Sequence, residues 1–407
     1  MQADRVETGK IRQNISRRGD RLMTMHLEER GSDAELANVF VAIEVSKQTW
    51  LVAGYTPSDG RTARHKIRGG DVETLLSIIA RLCQKERRAT GRSVRTICCH
   101  EAGYQGFWLH RRLAAVGIES YLIDATSLQV NRRARRAKTD AIDVEALLRT
   151  IIAYCRGERT ICRMVQVPSI ADEDAKRTHR ERKRLVKERT GHINRIKALL
   201  ALHGISTYEP TKADRRQRLQ EVVTSDGQRL PPRLHREISR EIDRLELVLD
   251  HLAEVEAERD ELPYDVAACN GNAAMIKQLM SLKGIGPETA TILGRELFYR
   301  DFANRKAVAG YAGLTPSPYM SGALRRDQGI SKAGNAFVRT AMIELAWLWL
   351  RYQPDSALSQ WFRERVGTTK GRLRRIAIVA LARKLLVALW RFVSTGLIPT
   401  GAALKSA

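Results

Sequence analysis

The feature that most constrains this chain is the run VFVAIEVSKQTWLVAGYT, residues 39–56, in which β-branched and aromatic side chains surround one carboxylate, Glu44. Residues of these types at this density form strands, and the polar step Ser46–Lys47 divides the run into two of them. Glu44 then lies in the middle of the first strand, where a charge is costly to bury without a partner. A short strand near His65–Ile67 completes a meander. Helical spacing follows over residues 72–86, on Leu75, Leu76, Ile79 and Leu82. Next come a buried strand TICC, a helix from Gln105 to Ala115, a strand SYLID, and a helix from Asp140 to about Tyr154.

That order (three strands, helix, strand, helix, strand, helix) is the one expected of a ribonuclease-H-like α/β fold. The fold class expected for the whole chain is α/β followed by α. Between residues 175 and 262 the apolar positions Ile193, Ile196, Leu200, Ile238, Ile242, Leu245, Leu249 and Leu252 recur in steps of three and four. They predict long amphipathic helices, broken at Ser225–Gly227 and Pro231–Pro232, forming an antiparallel coiled-coil arm that serves as spacer or dimerisation element. From Met275 the chain is again compact and mostly helical. MSLKGIGPETATILGREL reads as a helix, a tight turn at Gly284–Ile285–Gly286, and a second helix after Pro287, the pattern of a helix-hairpin-helix. Glycines there let backbone N–H groups meet a nucleic-acid phosphate at a helix N-terminus, and an ordinary turn with glycines for geometry is the alternative. The expected domains are a polar, flexible tail (1–38, with Met23 and Met25 as alternative starts), an α/β domain (39–165), the arm (166–270) and a C-terminal domain (271–407).

Lys and Arg total 70 against 46 Asp and Glu, a formal charge of +24. A charge of that size is a statement about partners, and nucleic acid is the commonest polyanion. Most of it sits in residues 131–138, 176–197 and 371–407. Cys83, Cys98, Cys99, Cys155, Cys162 and Cys269 form no CxxC pair, which argues against a zinc module or a disulfide framework. The most apolar stretch, Ile376 to Val393, is interrupted by Arg383, Lys384 and Arg391, and the N-terminus has no signal-peptide core. The expectation is a cytoplasmic protein without a membrane partner.

Four carboxylates stand out by position. Glu44 lies on the first strand, Glu101 at the end of TICCH, and Asp140 and Asp143 three residues apart at a helix start. Converging in one cleft, they would be hard oxygen ligands suited to Mg2+ or Mn2+. Singly, Asp140 reads as an N-cap and Asp143 as a dipole-compensating residue. Immediately before them, NRRARRAK carries Arg132, Arg133, Arg135, Arg136 and Lys138, which place a polyanion beside the acids. Farther on, residues 311–332 are dense in Gly, Pro and Ser and read as a structured loop. It holds Ser321 before Gly322, with Arg325, Arg326 and Lys332 nearby. A serine hydroxyl becomes a nucleophile toward phosphorus only where cations or a metal stabilise the developing charge.

The motifs AIEVSK, HEAGYQGFWLHR, KTDAIDVEALLR, GIGPETA and AGLTPSPYMSG followed by RRDQGISKAGN resemble those of the insertion-sequence transposases that join a Holliday-junction-resolvase-like (RuvC-like) DEDD domain to a C-terminal serine domain, the bridge-RNA-guided recombinases. The resemblance spans about residues 39 to 395. It implies that Glu44, Glu101, Asp140 and Asp143 are the metal-holding acids, with Glu44 where the family usually has Asp, and that Ser321 is the nucleophile. It further implies DNA strand exchange at element ends and target, a structured guide RNA as partner, action at the bacterial nucleoid, and a dimer or tetramer whose subunits share a site. Two other functions fit the residues alone. One is a metal-dependent, structure-selective nuclease using only the acids, and the other is a non-catalytic nucleic-acid-binding protein.

Overall fold

A computed structural model describes residues 36–128, 139–261, 272–321 and 324–405. The chain divides into two compact units, residues 1–167 and 168–407.

The first unit is a five-stranded mixed sheet covered on both faces. Strands β1 (Ala37–Val45), β2 (Thr49–Thr56) and β3 (Arg61–Arg68) form the antiparallel meander. Helix α1 (Val72–Thr90) leads to β4 (Val94–Glu101), then α2 (Trp108–Ala115) to β5 (Glu119–Ile123), and α3 (Asp140–Cys155) closes the unit. The order across the sheet is β3-β2-β1-β4-β5, with β4 and β5 parallel to β1. The expected alternation of strands and helices is therefore present. Strand β3 is longer than expected, and α2 starts at Trp108 because Gly103 to Gly106 form a turn in place of a first helical turn.

Alternation along β1 explains why its sequence reads as nearly continuous apolar. Val39, Val41 and Ile43 pack on α1 and α2, while Phe40 and Ala42 pack on α3 through Val144, Leu147, Leu148 and Ile151. Truncating Leu147, 1% exposed, to alanine would cost about 2–5 kcal/mol. Helix α1 starts where Asp71 accepts from Thr74 N at 3.0 Å, and it stops at Gly91, whose φ of +67° suits a residue without Cβ.

In the second unit a short α4 (Ile170–Asp174) precedes the arm. Its long helices α5 (Arg177–Ala201) and α7 (Pro232–Glu261) run antiparallel, with short α6 (Arg215–Glu221) in their connection. Pairs Arg182–Glu256, His192–Glu241 and Arg195–Glu237 fix that direction, since one number rises as the other falls. Ile196, Leu200, Ile238, Ile242 and Leu245 fill the seam. The remaining elements are α8 (Asn272–Met280), α9 (Pro287–Leu293) with a π-turn over Gly294–Phe298, α10 (Arg305–Tyr311), β6 (Pro316–Ser321), β7 (Leu324–Ile330), α11 (Ala336–Tyr352), α12 (Ala357–Val366) and α13 (Arg372–Thr395). Residues 311–332 are thus not a loop, as their composition suggested. Their middle is an antiparallel hairpin, β6–β7, with Ser321 opposite Leu324.

Candidate functional site

Two of the four acids, Glu44 and Glu101, stand together at one edge of the first unit. Glu44 is the penultimate residue of β1, nearer the strand end than the sequence suggested, and Glu101 is the last of β4. Ile43 pairs with His100, so the next residues of the two parallel strands, Glu44 and Glu101, stand level. Both also belong to the α3 face, because Phe40 and Ala42 of β1 and Ile97 and Cys99 of β4 pack there. Helix α3 crosses that face over several strands: Cys99 Sγ lies 3.6 Å from Leu147 O, and farther along the helix the ring of Tyr154 meets that of Tyr121, the β5 residue level with Cys99, at 5.9 Å. Its first turn carries Asp140 and Asp143. The capping alternative for Asp140 is excluded, since Thr139 is the N-cap and its hydroxyl accepts from Ile142 N at 3.4 Å.

Loops following β1 and β4 frame this edge. Gln105 Nε2 donates to Ser46 O at 3.0 Å and Lys47 Nζ lies 5.7 Å from the Tyr104 ring, whose side chain is 65% exposed. Neighbouring His100 faces the other way. Burial, and secondarily the charge of His110, pushes its pKa down to about 4, so it is neutral at physiological pH. Glu101 and Asp140 are exposed, while Glu44 and Asp143 are half-buried. Among the described residues no three His, Cys, Asp or Glu side chains are close enough together to hold a metal ion. The donor chemistry suits a hard cation, but the cation would have to draw the exposed carboxylates in. Arg132, Arg133, Arg135, Arg136 and Lys138 lie outside the described residues.

Ser321 ends β6, beside the tip of the hairpin. Nearly every residue of β6 is exposed, Tyr319 at 50% and Met320 at 69%. The register sets the backbone of Arg325 opposite Met320 and that of Arg326 opposite Tyr319. The foot of the hairpin is rigid. Ser331 N donates to Thr315 O at 2.8 Å, and Lys332, with φ of +55°, has its carbonyl held by Arg339 Nη1 at 2.8 Å. Gly313 (φ +66°) has no room for a Cβ, which would stand 2.3 Å from Ala333 O.

Composition gave no hint of what anchors this foot. Glu296, in the π-turn and 1% exposed, accepts from His179 Nε2 (2.9 Å), Arg180 Nε (2.6 Å) and Asn335 Nδ2 (2.9 Å). Asn335 caps α11 by accepting from Phe337 N and Val338 N. Burial alone would raise the pKa of Glu296. The hydrogen bonds from His179 and Arg180, the Arg180 charge and Asn335 outweigh it and lower the value to about 2. Glu296 thus joins the start of the arm to the base of the hairpin.

The Gly284–Gly286 turn is tied down more tightly than expected. Gly284 needs its positive φ of +90°, but Gly286 is an extended N-cap that any residue could occupy. The last residues of the chain cover the turn, with Lys283 N donating to Ala403 O and Lys405 Nζ to Ile285 O. Helix α9 behind it has only seven residues.

A family model described as the transposase IS116/IS110/IS902 family matches residues 276–360, which include the whole hairpin. A Sinorhizobium fredii protein named "Putative transposase y4rJ" is 47% identical over 379 residues, covering 91% of this chain and 96% of its own length. The chain belongs to the IS116/IS110/IS902 transposase family. The transposase for insertion sequence element IS1111A of Coxiella burnetii is 27% identical over 291 residues, 69% of this chain and 73% of its own. That for IS1328 of Yersinia enterocolitica is 27% identical over 265 residues, 64% and 72%. This transposase is therefore an enzyme of DNA recombination, with DNA as its partner. Among the described residues no helix is long and apolar enough to cross a membrane.

Proposed function

We propose that this transposase cleaves and rejoins DNA strands with Ser321 as the nucleophile. The observation that carries the proposal is the exposed end of the β6–β7 hairpin, inside the segment matched by the family model. A nucleophile that must line up with a phosphodiester has to stand clear of its own fold on a rigid support. Ser321 Oγ attacks phosphorus and gives up its proton. A serine–phosphate bond forms as the bond to one deoxyribose oxygen breaks, and that oxygen takes up a proton. Attack by another deoxyribose hydroxyl then reverses the step, freeing Ser321 and joining a new strand pair. Arg325, Arg326 and Lys332 neutralise the charge that builds on the phosphoryl oxygens.

Glu44, Glu101, Asp140 and Asp143, in a RuvC-like domain, would hold Mg2+ or Mn2+, supported by the level position of Glu44 and Glu101 on adjacent strands and by the preference of hard cations for carboxylate oxygen. The metal would supply Lewis-acid polarisation of a phosphoryl oxygen. The five-strand order and the position of the acids at strand ends support this reading. Following the family resemblance, a structured guide RNA selects the DNA, and the working form is an oligomer.

The test is a covalent adduct. Wild-type protein incubated with element-end DNA and denatured should carry a DNA-linked band that Ser321→Ala lacks. Adduct or recombined product from Ser321→Ala would leave a nuclease that uses only the acids. Independently of activity, calorimetric titration with Mn2+ should show binding by the wild type that is weakened in Asp140→Asn/Asp143→Asn. Equal binding would remove those aspartates from the metal site.

A further inference from the structure

Helix α13 borders a groove of about 1460 Å³ in the second unit. It is lined by aliphatic side chains, Ile376, Val379, Val387 and Ala388 of α13 with Ile330 of the hairpin and Ile343 of α11. Cations stand among them. Arg372, Arg375, Arg383, Lys384 and Arg391 line the groove from α13, and Arg305, Lys332 and Arg339 from the elements around the hairpin foot. Among the described residues no Asp or Glu lines the groove, and none of these eight cations forms an ion pair with a described carboxylate. Three arginines (Arg372, Arg374, Arg375) open α13, with no acid in the first turn and no side-chain cap. Positive charge at a helix N-terminus opposes the macrodipole, so the fold gains nothing from that placement.

We propose that this groove is a track for one strand of nucleic acid, with phosphates on its cations and sugars on its aliphatic side chains. The proposal rests on the reading of the hairpin as the strand-cleaving element, because Lys332 and Ile330 belong to both. Charges of one sign only among the described lining, over about 28 Å of helix from Arg372 to Arg391, suit a repeating phosphate charge. An acidic amphipathic helix is the competing occupant. It separates its apolar stripe from its charged face, whereas on α13 cations and aliphatic side chains share one face. Among the described residues no aromatic side chain lines the groove, so base stacking gains nothing there and sequence preference should be weak.

The experiment is fluorescence anisotropy on the full chain with labelled single-stranded DNA, single-stranded RNA and duplex DNA of mixed sequence. The variants are the quadruple Arg375→Gln/Arg383→Gln/Lys384→Gln/Arg391→Gln and, as a milder change among the aliphatic side chains, Ile376→Glu, with thermal melts confirming that both fold. Four lost phosphate contacts should weaken single-strand binding at least about tenfold at 0.1 M salt. Ile376→Glu should weaken it in the same direction, and comparison of the DNA and RNA strands tells which is preferred. Unchanged affinity for both single strands would overturn the proposal, as would a loss confined to duplex. A change only in sedimentation mass would assign the groove to an acidic protein surface instead. Binding needs no serine chemistry, so a missing adduct leaves this result standing, and missing binding leaves the serine reading intact.

Discussion

Helices α5 and α13 look alike in sequence, each the core of a strongly basic segment, but they dispose of their charge in opposite ways. On α5 and the residue before it, Arg177, Arg180, Arg182, Arg184, Arg195 and Lys197 are each ion-paired with a carboxylate. Lys176 and Lys183 lie over the rings of Tyr299 and Phe337, at 3.7 and 4.0 Å. On α13 the groove cations face no described acid. Six of the ten cations of the stretch 176–197 are thus ion-paired within the fold, whereas the groove cations of α13 have no described acid beside them, Lys384 lying instead 4.7 Å from the Trp361 ring. Net charge in a sequence counts cations, and the fold decides which of them a phosphate can reach.

The comparison can be broken hardest at Glu296. Glu296→Ala leaves His179 and Asn335 without their acceptor and Arg180, half exposed, without its partner, and urea denaturation should show a loss of about 2–4 kcal/mol. The same carboxylate sets an acid limit. Its folded pKa, about 2, is below the ordinary 4.5, so its stabilisation is complete above about pH 4.5 and is lost as pH falls toward 2. Wild-type melting temperature should drop through that window more steeply than that of Glu296→Gln, and parallel curves would deny the linkage.

A smaller effect is expected at the hairpin foot. Gly313→Ala meets both a left-handed backbone and a carbonyl, and should destabilise by about 1–3 kcal/mol and reduce adduct yield. A variant with wild-type melting and adduct would show that the foot yields freely. Smallest of all is Arg195→Ala. Its partner Glu237 is also exposed, and the pair is worth at most about 0.5 kcal/mol. Nucleic-acid affinity should not move with it, and a tenfold loss would return the arm to the binding surface.

Local patterns carried much of the architecture. The strand run around Glu44 and the stripe Leu147–Ile151 were legible because burial on one or both faces imprints itself at periods of two and 3.6. The placement of Glu101 at a strand end and of Asp140 and Asp143 at a helix start followed from the same reading, whereas Glu44, expected in mid-strand, is penultimate in β1 because the strand starts at Ala37 and ends at Val45. The hairpin was not legible, because PSPYMS carries two prolines and no alternating apolar face. Glu296 was invisible for a different reason. It lies more than a hundred residues from His179 and Arg180, so its burial depends wholly on tertiary partners. The groove draws on α10, the hairpin, α11, α12 and α13, and only the α13 part left a trace, in cations and aliphatics sharing one face.

The central claim, that reachable charge lies on α13 and not on the arm, is tested most directly by the salt dependence of single-strand affinity. The logarithm of the binding constant is followed against the logarithm of salt concentration for three proteins: wild type, the quadruple α13 variant, and Arg182→Gln/Arg195→Gln/Lys197→Gln. Each phosphate contact contributes about 0.7 to the slope, so the α13 variant should be shallower by about 3 and the arm variant should match wild type. A shallower slope in the arm variant, with the α13 variant unchanged, would contradict the account.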